Sequence, residues 1–419
     1  MVVDRGRRTR IAFKALADVA SKAVTLAITV AAARRLNADP FGILAFGMAT
    51  GWLLAVATDA GLSMYLAREV ARDRTRTHRL ALDVIGLRTG LAFLAATGTA
   101  LATPYLVPEQ WRIQFIMIVL AQLAGGVIET VSHYFRGIER SEIESAIQVA
   151  QRTVTLVWAL IVLWFWRRLD YLGVAMLAPA LVAMLVSMAI AINLSAAAAA
   201  PVLQAGLTVR KYGRNVLPLG AGVLLSALYF RCDVYFIEHW HGFQPVGGYN
   251  AVFRLVEGLR LVPAAVMTVM FPVLVQSTDH DRVKRIGGVL ALVGVALALV
   301  CGLGASVIVP TIYGDGFAYA APAFSILALA LPLFFLNYAL THQVIGWDGQ
   351  TAYLLIAAIA LAGNIVANVA LVPSQGIAGA AIGTVLTEVI VTAGCVLYLA
   401  NKRIEPSSRP LVAHAEHVS

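Results

Sequence analysis

Between residues 13 and 400 the chain is a succession of apolar segments of about 20 residues, parted by short polar or basic turns. A helix needs about 20 mostly apolar residues to cross the hydrocarbon of a bilayer. Lipid offers a non-helical backbone no hydrogen-bond partners. Such a pattern confines the chain to an all-α polytopic membrane protein. Twelve spans are read: 13–34, 41–65, 80–102, 113–135, 143–165, 172–196, 216–238, 246–272, 286–309, 320–345, 351–372 and 377–400. The first carries Asp18 and Lys22 and lacks a small-residue cleavage site, so it reads as a retained helix rather than a signal peptide. The loops are too short to hold a soluble catalytic domain.

Composition agrees. Hydrophobic residues make up 60% of the 419 and charged residues only 13%, whereas a soluble domain carries roughly 25% charge. Cys232, Cys301 and Cys395 all fall in apolar runs, with no CxxC spacing, which suggests neither a disulfide framework nor a zinc site. The formal charge of +9 is explained by topology, and no nucleic-acid partner is expected. The termini and even-numbered loops hold 21 Lys and Arg. The opposite side holds five: Arg34, Arg35, Arg112, Arg167 and Arg168. By the positive-inside rule both termini are cytoplasmic, which requires an even number of spans.

Two halves echo each other at a separation of about 205 residues. Pro40-Phe-Gly42-Ile-Leu44-Ala-Phe46 opens the second span, and Pro245-Val-Gly247-Gly-Tyr249-Asn-Ala251 opens the eighth. Chance could give so short a match, since Pro-x-Gly is common in turns; the twelve-span count favours a repeat. Parallel repeats are a transporter architecture with the substrate path between lobes. The expected organisation is an N-terminal lobe (1–200), a cytoplasmic linker (201–215), a C-terminal lobe (216–400) and a cytoplasmic tail (401–419). No Walker A motif, Gly-x-Ser-x-Gly elbow or HExxH is present, so no enzyme activity and no cofactor are expected.

Several motifs in order resemble one family: Arg35-Leu-Asn-Ala-Asp-Pro40-Phe-Gly42, then Asp59-Ala-Gly61-Leu and Arg68-Glu69; Asp233, then Val246-Gly-Gly-Tyr249-Asn-Ala-Val-Phe-Arg254-Leu, Pro263 and Phe271-Pro272; Tyr313-Gly314; and the stretch Asn364–Glu388. Together they resemble the polysaccharide transporter branch, the O-antigen flippases, of the multidrug/oligosaccharidyl-lipid/polysaccharide exporter superfamily. The resemblance implies two six-helix lobes that alternate access in a bacterial inner membrane. The implied substrate is an undecaprenyl-diphosphate-linked oligosaccharide, moved from the cytoplasmic to the periplasmic leaflet. Implied partners are the bilayer, H+ or Na+ as coupling ion, and polysaccharide polymerase or assembly proteins. A cation-coupled drug exporter of the same superfamily is the alternative, and a membrane glycosyltransferase or ligase a more distant one.

Charges inside spans supply the site candidates, because a cation at mid-bilayer costs about 2.5–3.5 kcal/mol unless it faces a cavity or a partner. Arg254 and Arg231, with Lys22, Arg88 and Arg152, are candidates for a cationic cavity fitted to a diphosphate. Arg260 ranks below them. Helix pairing is the competing reading: Asp18–Lys22, Arg254–Glu257 and Glu257–Arg260 have helical spacing, and Arg88 could snorkel to the interface. Glu257, Asp83, Asp233 and Glu129 are the ion-coupling candidates, with Asp59, Glu388, His133 and His342 also in or near spans. Asn364 and Asn368 share one helix face and either line the cavity or bond a neighbouring helix. Gly379 and Gly383 have spacing for close helix approach. Pro179, Pro218, Pro263 and Pro332 are expected to kink their helices. Tyr229, Tyr235, Tyr249 and Trp164–Trp166 are expected in an interfacial aromatic belt.

Overall fold

The computed structural model describes residues 23–72, 77–196, 217–276, 280–347 and 349–401. Every regular element among them is helical. Residues 23–35 form α1, followed by α2 (Ala38–Asp59), α3 (Leu62–Arg72), α4 (Thr77–Leu106), α5 (Arg112–Gly137), α6 (Ser141–Phe165) and α7 (Leu169–Ala196). The second series is α8 (Leu217–Arg231), α9 (Asp233–His241), α10 (Phe243–Leu259), α11 (Leu261–Gln276), α12 (His280–Tyr313), α13 (Ala321–Ala328), α14 (Leu331–Gly346), α15 (Gln350–Gln375) and α16 (Ile377–Asn401).

Nine helices among the described residues are long and apolar enough to cross a bilayer, or ten if a bent pair is one span. In that pair Asp315–Ala328 meets Leu331–Gly346 at 45°. These ten follow ten of the twelve expected spans in order. The expected first span, 13–34, lies only partly within the described residues; Asp18 and Lys22 fall outside them. The expected eighth span, 246–272, is not one helix. It divides at Arg260 into helices of 17 and 16 residues, each short for a crossing. Pro263 has no N–H to offer the Leu259 carbonyl one turn back, which accounts for a break there. The expected second span, 41–65, stops early because Ala60 adopts a left-handed conformation (φ 43°). The Asp59 carboxylate then accepts from the N–H of Gly61 (3.1 Å) and of Ser63 (3.3 Å), capping α3. Pro332 opens α14 in its first turn, where a missing N–H costs nothing, and does not kink a helix interior. The chain turns between α15 and α16 at Gly376, whose φ of 56° with ψ −131° suits a residue without Cβ.

Packing falls into two sets. In the first, α5 packs against α2, α3, α4 and α7, and α6 lies on α7. In the second, α15 packs on α16 and α8, α12 on α14, and α14 on α16. Helix α2 also joins the sets by packing on α10 and α8. The outer surface is apolar: Leu303 is 84% exposed and Phe93 75%. In water such a surface would aggregate; in a bilayer it is solvated by acyl chains. The chain is a multi-pass membrane protein. Trp164, Phe165 and Trp166 are exposed at the end of α6, as an aromatic belt requires. The three tyrosines are not belt residues: Tyr229 lines a cavity, and Tyr235 and Tyr249 bond to Thr50 and Asp233.

Candidate functional site

A cavity of about 370 Å³ lies between α2, α8, α10, α14, α15 and α16. Trp52, Phe230, Phe334 and Tyr338 give it aromatic walls. Its lining also carries Arg260, Glu257, Glu388 and His342. The break after α10 places Arg260 here. Its guanidinium lies 4.3 Å from the Phe230 ring centroid and 4.5 Å from that of Phe334. Aromatic faces hold a cation in place of water, each worth about 0.5–2 kcal/mol. Glu388 is held by Asn337, whose Nδ2 donates to Glu388 Oε2 (2.8 Å) and to its main-chain carbonyl (3.1 Å).

Behind the Glu257 wall stand the two arginines ranked first from sequence. Arg231 Nη2 donates to Glu257 Oε2 at 2.9 Å, and Arg254 Nη1 donates to the same oxygen at 2.8 Å. Arg231 also donates to Asn250 Oδ1 (3.2 Å) and lies 4.7 Å from the Phe253 ring. Neither arginine is among the cavity's lining residues. Two cations on one carboxylate leave positive charge just behind the wall. The expected cationic cavity is thus corrected to a mixed one, with Arg260 in the lining and Arg231 and Arg254 in its support. A signal for Arg260 was present: it follows Glu257 by three residues and precedes Pro263 by three.

The first helix set holds other candidates away from this cavity. Arg88 is 1% exposed and does not snorkel. Its Nη2 donates to the Ala55 carbonyl (2.7 Å), its Nη1 to Thr58 Oγ1, and it packs on Gly126. Arg152 and Asp83 are half-buried on α6 and α4. Glu129 pairs with Arg136 (3.0 Å) and His133 (3.5 Å), while Arg136 also bonds the buried Glu144. Both carboxylates of that cluster are thus engaged by Arg136 within the first helix set.

Asp233, 1% exposed, opens α9 inside a cage of neutral groups. Tyr249 Oη donates to its Oδ2 at 2.6 Å, Thr384 Oγ1 to Oδ2 at 3.0 Å, and Asn368 Nδ2 to Oδ1 at 2.8 Å. Asn364 donates to Thr387 Oγ1 (2.9 Å), and its Oδ1 accepts from Cys232 Sγ (2.8 Å) and Asn368 Nδ2 (3.0 Å). Asn364 and Asn368 therefore bond to neighbouring helices and do not line the cavity. Asn368 Oδ1 is buried without a partner.

The two Pro-x-Gly motifs meet each other. A Cβ on Gly42 would strike the Phe243 carbonyl, and a Cβ on Gly247 would come within 2.9 Å of Phe41 and 3.3 Å of the Gly42 nitrogen. Equivalent segments in mutual contact are what a local two-fold axis produces. The contact closes α2 on α10 at their N-terminal ends, away from Glu257 and Arg260 at the far end of α10.

Solved structures share this fold. An inward-facing multidrug resistance MATE family transporter of the MOP superfamily superposes with a TM-score of 0.70 at 15% identity, covering 91% of this chain and 94% of its own. The lipid II flippase MurJ in an inward closed conformation gives 0.70 at 11% identity, covering 93% and 88%. An outward-facing MATE transporter gives 0.65 at 13% identity, covering 93% and 95%. No curated protein sequence matches the chain. The sequence profile described as polysaccharide biosynthesis protein matches residues 10–278. With that match over more than half its length, the chain belongs to the polysaccharide biosynthesis protein family.

Proposed function

We propose that this chain flips a polyprenyl-diphosphate-linked oligosaccharide from the cytoplasmic to the periplasmic leaflet of a bacterial inner membrane. It has twelve spans, with α10 and α11 together as one crossing bent at Arg260, both termini in the cytoplasm, and two lobes (1–200 and 216–400) that close on each other at the Gly42–Gly247 contact and part there in turn. The observation that carries the reading is Arg260, held between Phe230 and Phe334 in a cavity at the junction of the two helix sets. An arginine with free donors can take a diphosphate oxygen, and aromatic faces can take sugar rings. Arg231 and Arg254 fix Glu257 and add positive potential behind it. Asp233 is the coupling group: a buried carboxylate met only by neutral donors can exchange a proton without breaking an ion pair.

The test is export in cells. Arg260→Ala should abolish surface polysaccharide while the protein remains inserted and folded; normal polysaccharide would sink the assignment. Glu257 and Glu388 in the same aromatic cavity favour a second reading, the efflux of an organic cation. Dye efflux that depends on both glutamates, with lipid-linked glycan unmoved in reconstituted vesicles, would establish that reading instead.

A further inference from the structure

A second cavity, of about 570 Å³, lies at the end of the bundle where α2 and α10 close on each other. Arg34, Arg35 and Arg167 line it together with Gln244, Tyr313 and Tyr319. Its lining contains three arginines and no carboxylate. Arg34 and Arg35 end α1, and Arg167 comes from the turn between α6 and α7, so the chain converges here from places about 130 residues apart.

These residues belong to the five basic side chains on the side where the topology rule disfavours them. Charge there needs a reason other than orientation. Arg168 has one, since it pairs with Asp170 at 2.5 Å. The three pocket arginines form no ion pair among the described residues. Asp39 and Asp315 are neighbours in sequence but lie outside the lining. Arg35 stacks on Trp164, 4.4 Å from the ring centroid, which fixes its plane without neutralising it. Arg167 holds a left-handed backbone (φ 51°), a conformation uncommon for residues with a Cβ. Arg34 Nε donates to the Ile312 carbonyl at 2.7 Å, and its Nη2 to that of Thr311. Those carbonyls end α12, where the helix dipole is negative. A guanidinium has five donors, so Arg34 keeps donors to spare.

We propose that this cavity is an anion site that binds phosphate or diphosphate groups on the extracytoplasmic side, separate from the central cavity. Its volume lies within the roughly 300–1,000 Å³ of small-molecule sites. Arginine forks match phosphate oxygens in pairs, and three guanidiniums around one space with no carboxylate in its lining favour an oxyanion over any neutral ligand. The site rests on the export reading only for its sidedness. A bound phosphate would compete with the α12 carbonyls for Arg34, linking occupancy to the closed end.

The experiment titrates inorganic diphosphate by calorimetry into the full chain held in phosphatidylcholine nanodiscs. Arg35→Gln with Arg167→Gln should weaken binding at least tenfold, and the corresponding lysine pair should retain most of it. Both positions are outside the packed core, and unchanged melting temperatures will verify the fold. An unchanged isotherm in the glutamine pair, or no binding by the unaltered chain, would overturn the site. So would a loss caused by Arg260→Gln alone, which places the anion in the central cavity. Two further arms identify the source. Competition by phosphatidylglycerol in the disc supports a bilayer lipid headgroup, tighter binding of farnesyl diphosphate supports a lipid-linked diphosphate, and neither effect supports free phosphate. Normal glycan export by an Arg260 variant would sink the export reading and leave this isotherm as it is.

Discussion

Glu257 Oε2 accepts from Arg231 and Arg254 together, so removing one charge leaves two arginines unbalanced beside the cavity. Arg231 has only 5% of its side chain exposed and cannot turn to water. Glu257→Gln should cost about 1.5–3 kcal/mol, the range for a hydrogen bond to a charged group. Adding Arg231→Met should return part of that loss, because the stranded charge is gone. Thermal unfolding of Glu257→Gln, Arg231→Met and the double variant in one detergent reads this, and strict additivity would refute the shared-oxygen arrangement. Asp233→Asn is a different case. Flipping the Asn368 amide would bring its orphaned Oδ1 to the new N–H but take its Nδ2 from the two Asn364 oxygens, so the substitution should cost about 1–3 kcal/mol. Export should then no longer respond to an imposed pH or sodium gradient; a response equal to that of the unaltered chain would remove Asp233 from the coupling role. The spacing of Arg254 and Glu257, and of Asn364 and Asn368, made each pair legible in the sequence. Their partners were not: Arg231 is 26 positions from Glu257, and Asp233 is 135 from Asn368. Helical spacing reveals neighbours on one helix, whereas which helices touch is decided by the whole bundle.

Spans α4 to α7, α12, α15 and α16 were legible because an apolar run of about 20 residues has few other stable states in lipid. The breaks were harder to place. A proline announces that a helix can stop, but whether it opens a helix, as Pro332 does, or parts two, as Pro263 does, depends on what the neighbouring turns bury. The α10–α11 break has a functional consequence, since it sets Arg260 against Phe230 and Phe334. Pro263→Ala would restore an N–H for the Leu259 carbonyl and let the two helices run on as one. Stability should change by no more than about 1 kcal/mol, because the restored bond and the lost chain stiffness offset each other. Polysaccharide export should fall at least tenfold as Arg260 leaves its aromatic pair. Export at the level of the unaltered chain, with the same melting temperature, would show that the break has no part in transport.

At the scale of the whole molecule, closure depends on two residues that have no side chain. Gly42 and Gly247 let α2 and α10 approach until backbone meets backbone, which no residue with a Cβ allows at this separation. An exporter that alternates between two states needs such a contact to be good in one state and absent in the other, and its strength sets the population of each. Gly42→Ala puts a methyl group against the Phe243 carbonyl, a form of overpacking that typically costs about 1–3 kcal/mol. Only the state closed at this end bears that cost, so the equilibrium should move towards the opposite state by roughly 5- to 150-fold. A reporter cysteine at Thr50, buried in α2 beside Tyr235, reads the shift after Cys232, Cys301 and Cys395 are replaced by alanine. An impermeant thiol reagent applied from outside should label it slowly with Gly42 present and several-fold faster with alanine. Export should slow in the same variant, since the return to the closed state becomes the uphill step. If labelling does not change while export fails, the glycines support folding alone. If labelling rises and Gly247→Ala raises it equally, the two halves share one gate built from the same motif used twice.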